Sequence, residues 1–378
     1  MSCAKTRRIL FHFFSAAAVL TLLLFLPQSS RAAGRSGNVY VPTNQATGNS
    51  ILVFHRDPSG VLTFAASVPT GGVGAGTGAD PLASQGAVVL SGDNRLLFAV
   101  NAGSNSVSTF AISGDRLTPL GTVPSGGTFP VSLTVRDNLV YVLNAGGTPN
   151  ISGFTIQPVT NHLTPLPGSA QTLPGGAAAG PAQVGFSPDG TVLVVTEKNT
   201  NLIDTFVLDQ NGVAQPGTFF SSSGTTPFGF AFGHNNVAIV SNAGSGPATA
   251  SLSSYTVNED GNLNVITSAL GDTQTAACWV VVPLNGHFAY TTNTGSGTIS
   301  SYAVEQDGSL ELLNVVAAST GGGTVPIDMA LSNNSRFLYI RNGGNGTISG
   351  FRIEADGSLT PVATIGGVPA GAQGIAAR

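Results

Sequence analysis

The chain has 378 residues with a formal net charge of −4, and only 8% of them are charged against 42% hydrophobic. Its 50 glycines fall at turn positions between apolar runs rather than in one tract, which excludes a flexible linker, and polarity comes from Ser, Thr and Asn. Two cysteines are too few for a disulfide scaffold, and the scarcity of basic residues excludes an electrostatic nucleic-acid binder.

Residues 1–32 read as a secretory signal peptide. Lys5, Arg7 and Arg8 precede an apolar run over 9–26, and Ser30-Arg31-Ala32 places small residues at the minus-three and minus-one positions of a cleavage site. The run is long for such a segment, so an uncleaved single-span anchor is the alternative. Cys3 precedes the run and is not placed for lipidation. Cleavage after Ala32 leaves 346 residues with 10 basic against 18 acidic, a net of −8. The expectation is a secreted or periplasmic chain with one domain, 33–378, one cysteine, Cys278, and no binding to nucleic acid or, once the signal is removed, to membrane.

From Asn38 onward the chain predicts short strands and no helix. Residues 38–41, 50–55 and 61–66 form three strands with no innermost strand before them, and the stretch 70–85 is the longest irregular segment. It includes GAGTGA at 74–79, a degenerate dinucleotide fingerprint, but no helix follows and no βαβ unit is present, so no nucleotide is expected. Imperfect copies of a four-strand unit follow, best preserved in 326–362. There two apolar runs flank Ser-Asn-Asn-Ser, a third strand follows Gly-Gly-Asn-Gly, and Asp356-Gly357 turns into the fourth. The residue ending the second strand marks each copy: Asn44, Asn101, Asn144, Glu197, Asn242, Asn293 and Asn342, at intervals of 57, 43, 53, 45, 51 and 49 residues. The last residues, AGAQGIAAR, resemble the innermost strand missing from the first unit. The ends complement each other, and the predicted architecture is an all-β, seven-bladed β-propeller of four-stranded antiparallel blades, closed by pairing its terminal strands.

Such a meander puts second-to-third loops and blade connections on one face, around the channel mouth, where propeller sites concentrate. His55, His162, His234 and His287 sort to the opposite face, which argues against a His-ligated metal; neither metal nor cofactor is expected. The Asp-Gly pairs at 189, 260, 307 and 356 also sort there and read as hairpin turns rather than calcium ligands. The mouth keeps Glu197, which breaks the asparagine series, and Lys198, the one lysine left after cleavage. It also keeps Cys278 and Trp279 at the start of an innermost strand, Arg341 at the end of a second strand, and Asp328 on the strand pairing with it. Cys278 reads as a small buried hydrophobe and Trp279 equally as packing or a ligand platform. Asp328 is expected opposite Ile340 or Arg341 as an ion-pair partner.

VGFSPDG (184–190), LYIRN (338–342), GTISGF (346–351) and EADGSLTPV (354–362) resemble the repeats of the lactonase-type seven-bladed propellers, which include 6-phosphogluconolactonases and carboxymuconate cyclases. VYVPTN and VYVLN resemble the YVTN propeller repeats of surface and periplasmic proteins. The resemblance spans residues 38–378 and implies hydrolysis or reversible cyclisation of a small lactone or carboxylic acid at the channel mouth. Family enzymes are expected to carry a histidine at the start of an innermost strand, where this chain has Pro181-Ala182-Gln183. A single lysine and apparent export argue against a phosphorylated substrate. The expected assignment is Glu197 as general base, Lys198 and Arg341 at the oxyanion, and Gln183, Trp279 and Asp328 around the substrate, in a monomer. The alternatives are a non-catalytic propeller binding a protein, glycan or small ligand, and a structural envelope protein.

Overall fold

The computed structural model describes Met1 and residues 35–378; the expected signal segment, with Cys3 and the expected cleavage site, lies outside the described residues. Residues 35–378 fall in one compact unit built of seven antiparallel sheets. Blade one joins Ala376–Ala377 to Gly37–Pro42, Ser50–Arg56 and Leu62–Pro69, and its register pairs Tyr40 with Ala376 and Val39 with Ala377. Arg56 adds guanidinium bonds to the Arg378 carbonyl, and Arg378 to Asn38 Oδ1. The ring therefore closes as the complementary ends predict. Blades two to seven begin with innermost strands Val88–Leu90, Thr128–Arg136, Pro181–Phe186, Pro227–Phe232, Ala277–Val281 and Pro326–Leu331. Among the described residues no helix is long and apolar enough to cross a membrane.

The repeat is legible in the packing. Second strands are buried along their length because they are covered on both faces: Phe337–Asn342 and Leu96–Asn101 have no exposed residue. Neighbouring blades are also tied by tyrosines three residues before the marker. The hydroxyls of Tyr141, Tyr290 and Tyr339 donate to the turn carbonyls of Gly212, Gly357 and Gly60 in the following blade. The Asp-Gly turns are structural. Asp307 and Asp356 accept bonds from Ser309 and Ser358 two residues on, and Gly308 and Gly357 take φ of 86° and 81°.

In four of the seven blades the marker asparagine ties the second strand to the third. Asn101, Asn242, Asn293 and Asn342 donate from Nδ2 to a serine seven or more residues downstream on the third strand: Ser108 (2.8 Å), Ser253 (2.9 Å), Ser300 (2.8 Å) and Ser349 (2.8 Å). Blade four alters both partners at once. Its marker is Glu197, and the position seven residues on is Asp204.

Candidate functional site

The channel is closed on the loop face by the chain itself. Residues 79–86, the end of the irregular connection between blades one and two, lie across the mouth and bond to blades three, four and six and to Gln373 in the connection before the closing strand. Trp279 Nε1 donates to Ser84 O (2.9 Å), and Ser84 Oγ donates to Val131 O (2.7 Å). Gln373 donates to Asp80 and accepts from Leu82 N (2.7 Å). Lys198 Nζ donates to Ala83 O (2.6 Å) and Pro181 O (3.1 Å) while lying 5.0 Å from the Phe228 ring. Gln85 reaches furthest: its Nε2 donates to Val280 O (2.8 Å), its Oε1 accepts from Val280 N (3.0 Å), and its main-chain N–H bonds Ala182 O (3.1 Å).

Below this plug lies a cavity of about 310 Å³, lined from six blades and including Gln85, Gln183, Thr134, Phe232 and Asp328. The plug sets its direction by covering the loop-face end. Among the innermost strands, Pro227–Phe232 runs from buried to half-buried residues and Thr128–Arg136 does so from Pro130 onward, after an exposed Thr128, whereas Pro181–Phe186 and Ala277–Val281 are still buried at their last residue. The cavity is therefore sealed at the loop face and opens toward the hairpin-turn face.

A shared irregularity aims side chains at the axis. In blades three to seven the pairing of innermost and second strands shifts register within three residues of the pairing with the marker or the residue before it. A bulge of this kind re-aims a side chain. Beside it, two residues after the one that pairs with the marker, stand Ser132, Gln183, Gly229, Trp279 and Asp328. Ser132 accepts from Val184 N, Gln183 exchanges two bonds with the Phe230 main chain (2.7 and 3.0 Å), and Trp279 holds the plug. Asp328 differs. It is the unpaired residue between Ile327↔Arg341 and Met329↔Ile340, with φ of 50°, a costly conformation for a residue with a side chain. Its Oδ1 accepts from Met329 N (2.8 Å), and its Oδ2, although buried, has no hydrogen-bond partner. Burial raises its pKa well above the carboxylate range; the Met329 and Ile375 N–H groups offset this in part, and the Asp80 carboxylate adds to it.

The expected ion pair with Arg341 is not formed. The bulge removes Asp328 from the pairing, and the buried Arg341 donates to the carbonyls of Asn342 and Pro369 (3.0 Å for the latter). Burial lowers its pKa to about 10. Glu197 is fully buried within blade four, its oxygens accepting from Gly175 N (3.0 Å) and Thr200 Oγ1. It faces Asp204, whose pKa rises to about 9 through burial and then through the Glu197 carboxylate. Lys198 is lowered to about 8 by burial, with Asp80 and Cys278 opposing, and Asp80 is raised to about 6 by burial against Lys198. Glu197, Lys198 and Arg341 thus have separate partners, whereas Gln183 and Asp328 share the cavity. Sequence reasoning overlooked Gln85. Aligning the innermost strands by their distance from the marker isolates Asp328 as the single acid of its ring position, and that signal was available.

Among the described residues no group of three or more His, Cys, Asp or Glu side chains is placed to hold a metal ion. Residues 48–173 and 245–367 match the model of the lactonase, seven-bladed β-propeller family, and the chain belongs to that family. It is similar to the periplasmic gluconolactonase PpgL of Pseudomonas aeruginosa, at 17% identity and a TM-score of 0.69 over 89% of this chain and 98% of that one. It is also similar to a protein provisionally named a 6-phosphogluconolactonase from Bacteroides fragilis, at 18% identity and a TM-score of 0.65 over 92% and 98%. A functionally unknown protein of Desulfotomaculum acetoxidans matches at 17% identity and a TM-score of 0.66 over 90% and 98%. At these identities the likeness carries the fold alone. No curated protein matches the sequence.

Proposed function

We propose that the protein is an exported hydrolase, periplasmic or secreted, that opens a small unphosphorylated lactone in the blind channel, with Asp328 as general base. The observation that carries this is the placement of Asp328 in the cavity lining, a buried carboxyl on a bulge at positive φ, with Oδ1 held by Met329 N and Oδ2 left without a partner. The ionised carboxyl takes a proton from water as the water oxygen attacks the lactone carbonyl. The ring C–O bond then breaks, and the leaving alkoxide takes up a proton to give a hydroxy acid. The Gln183 amide has a second N–H beyond the one given to Phe230 O, and this donor orients the carbonyl. The cavity lining includes no cationic side chain, which fits an uncharged substrate.

The test is a pH-stat assay of purified protein on uncharged lactones. Asp328→Asn is expected to lose about 10²- to 10⁴-fold in kcat; retained turnover in a folded variant would remove Asp328 from the mechanism. A non-catalytic binding propeller is the second reading. It is favoured by the sealed mouth and by the separate bonding of Glu197, Lys198 and Arg341, and absence of turnover by the wild type across the panel would establish it over the hydrolase.

A further inference from the structure

The following rests on the channel cavity being the site just proposed. We propose that Gln85 is the floor of that cavity and the specificity-determining residue for ligand length, with entry from the hairpin-turn face. Three observations converge on it. The Gln85 side chain spans from the plug to both main-chain groups of Val280 in blade six, while its own N–H is held by Ala182 in blade four. One residue thus bridges the sealed end. Other blades are carved to admit the plug. A Cβ on Gly229 would collide with Gln85 Oε1 and one on Gly343 with Ala79 O. Gly229 and Gly343 do not take a positive φ, so close approach by the plug, rather than backbone conformation, accounts for the missing side chain there. Finally, in two of the innermost strands, over 130–136 and 227–232, burial falls from the plugged end toward the hairpin-turn face.

This makes the plug a fixed wall. A ligand whose carbonyl is presented to Asp328 therefore has limited depth beyond it, and an alkyl extension pointing inward meets the Gln85 amide. Replacing Gln85 with alanine removes that amide and deepens the pocket.

The test compares wild type with Gln85→Ala on δ-valerolactone and an alkyl-extended δ-lactone such as δ-decalactone. The matching lactams, which resist hydrolysis, are titrated by calorimetry. The expected result is a ratio of kcat/KM, extended over short, that rises by about tenfold or more in Gln85→Ala, the equivalent of two newly buried methylenes. Most of that change should be in KM for the extended lactone, and the lactam Kd ratio should move likewise. Ratios unchanged in a folded variant, or both substrates weakened equally, overturn the proposal. If no lactone is hydrolysed but the lactam ratio shifts, the floor stands and the hydrolase reading falls. If neither lactam binds either protein, the floor falls. Should Gln85→Ala fail to fold, Thr134→Trp at the half-buried rim decides: weakened lactam binding supports entry from that face, and unchanged binding overturns it.

Discussion

Two regions bury acidic side chains, and their difference separates a site from a structural device. In the body of blade four, Glu197 and Asp204 replace the asparagine and serine that meet in other blades, for example Asn342 and Ser349. Their environment is closed: Gly175 and Thr200 bond Glu197, and the two acids face each other. At the channel, Asp328 faces a cavity, lies on a bulge and has an oxygen with no partner. Both regions raise a carboxyl pKa by burial, so a perturbed pKa alone does not identify the functional group. An oxygen without a hydrogen-bond partner occurs in both regions, since Asp204 Oδ1 and Oδ2 have none either; what distinguishes them is that Asp204 packs against the Glu197 carboxyl inside the blade, whereas Asp328 belongs to the lining of a cavity that a ligand can fill.

The comparison breaks most sharply in activity. Asp328→Asn should lose the orders of magnitude given above, whereas Glu197→Gln should keep turnover within about threefold, because Glu197 is not in the lining of the channel cavity; the same lactone assay reads both. Equal losses would end the distinction.

Stability against pH sharpens it next. A carboxyl whose folded pKa is raised favours folding while protonated, so Asp204 stabilises the protein fully below the ordinary carboxylate range and loses that contribution as pH rises toward about 9. The slope is at most about 1.4 kcal/mol per pH unit for one such group. Glu197→Asn combined with Asp204→Ser restores the pair found in other blades and should flatten the decline of Tm between pH 5 and 9. Asp328→Asn should also raise Tm at pH 7, by the equivalent of about 1 kcal/mol, since it removes a buried charge and asparagine tolerates positive φ. A fall in Tm would mark Asp328 as structural.

The smallest effect concerns the plug. Trp279→Phe removes the bond to Ser84 O and should cost about 1 kcal/mol in chemical denaturation, with kcat on a short lactone unchanged.

The seven markers and the complementary termini made the fold legible in the sequence, because each repeat carries its own strand and turn chemistry. The site was legible only in part. The sequence singled out Gln183, Trp279 and Asp328, of which Gln183 and Asp328 line the cavity and Trp279 bonds the plug, but the bulge that frees Asp328 from Arg341 depends on pairing register, which composition does not encode. The plug was hidden for a different reason. Residues 70–85 have no periodicity, and their partners are single residues contributed by distant blades, so nothing local in ADPLASQG announces a channel floor. Glu197 was noticed as an exception, but its meaning required seeing that Asp204 changes with it.

The closing strand of blade one has a consequence for how the molecule is made. Ala376–Ala377 pairs with residues more than 330 positions earlier in the chain, so during synthesis blade one waits with an unpaired inner edge until almost the whole polypeptide has emerged. Six blades can assemble from near neighbours as they appear, but the circle, and with it the channel bounded by Ile375, belongs only to the finished chain. A ribosome that stops a few residues early would release an open arc with no enclosed pocket.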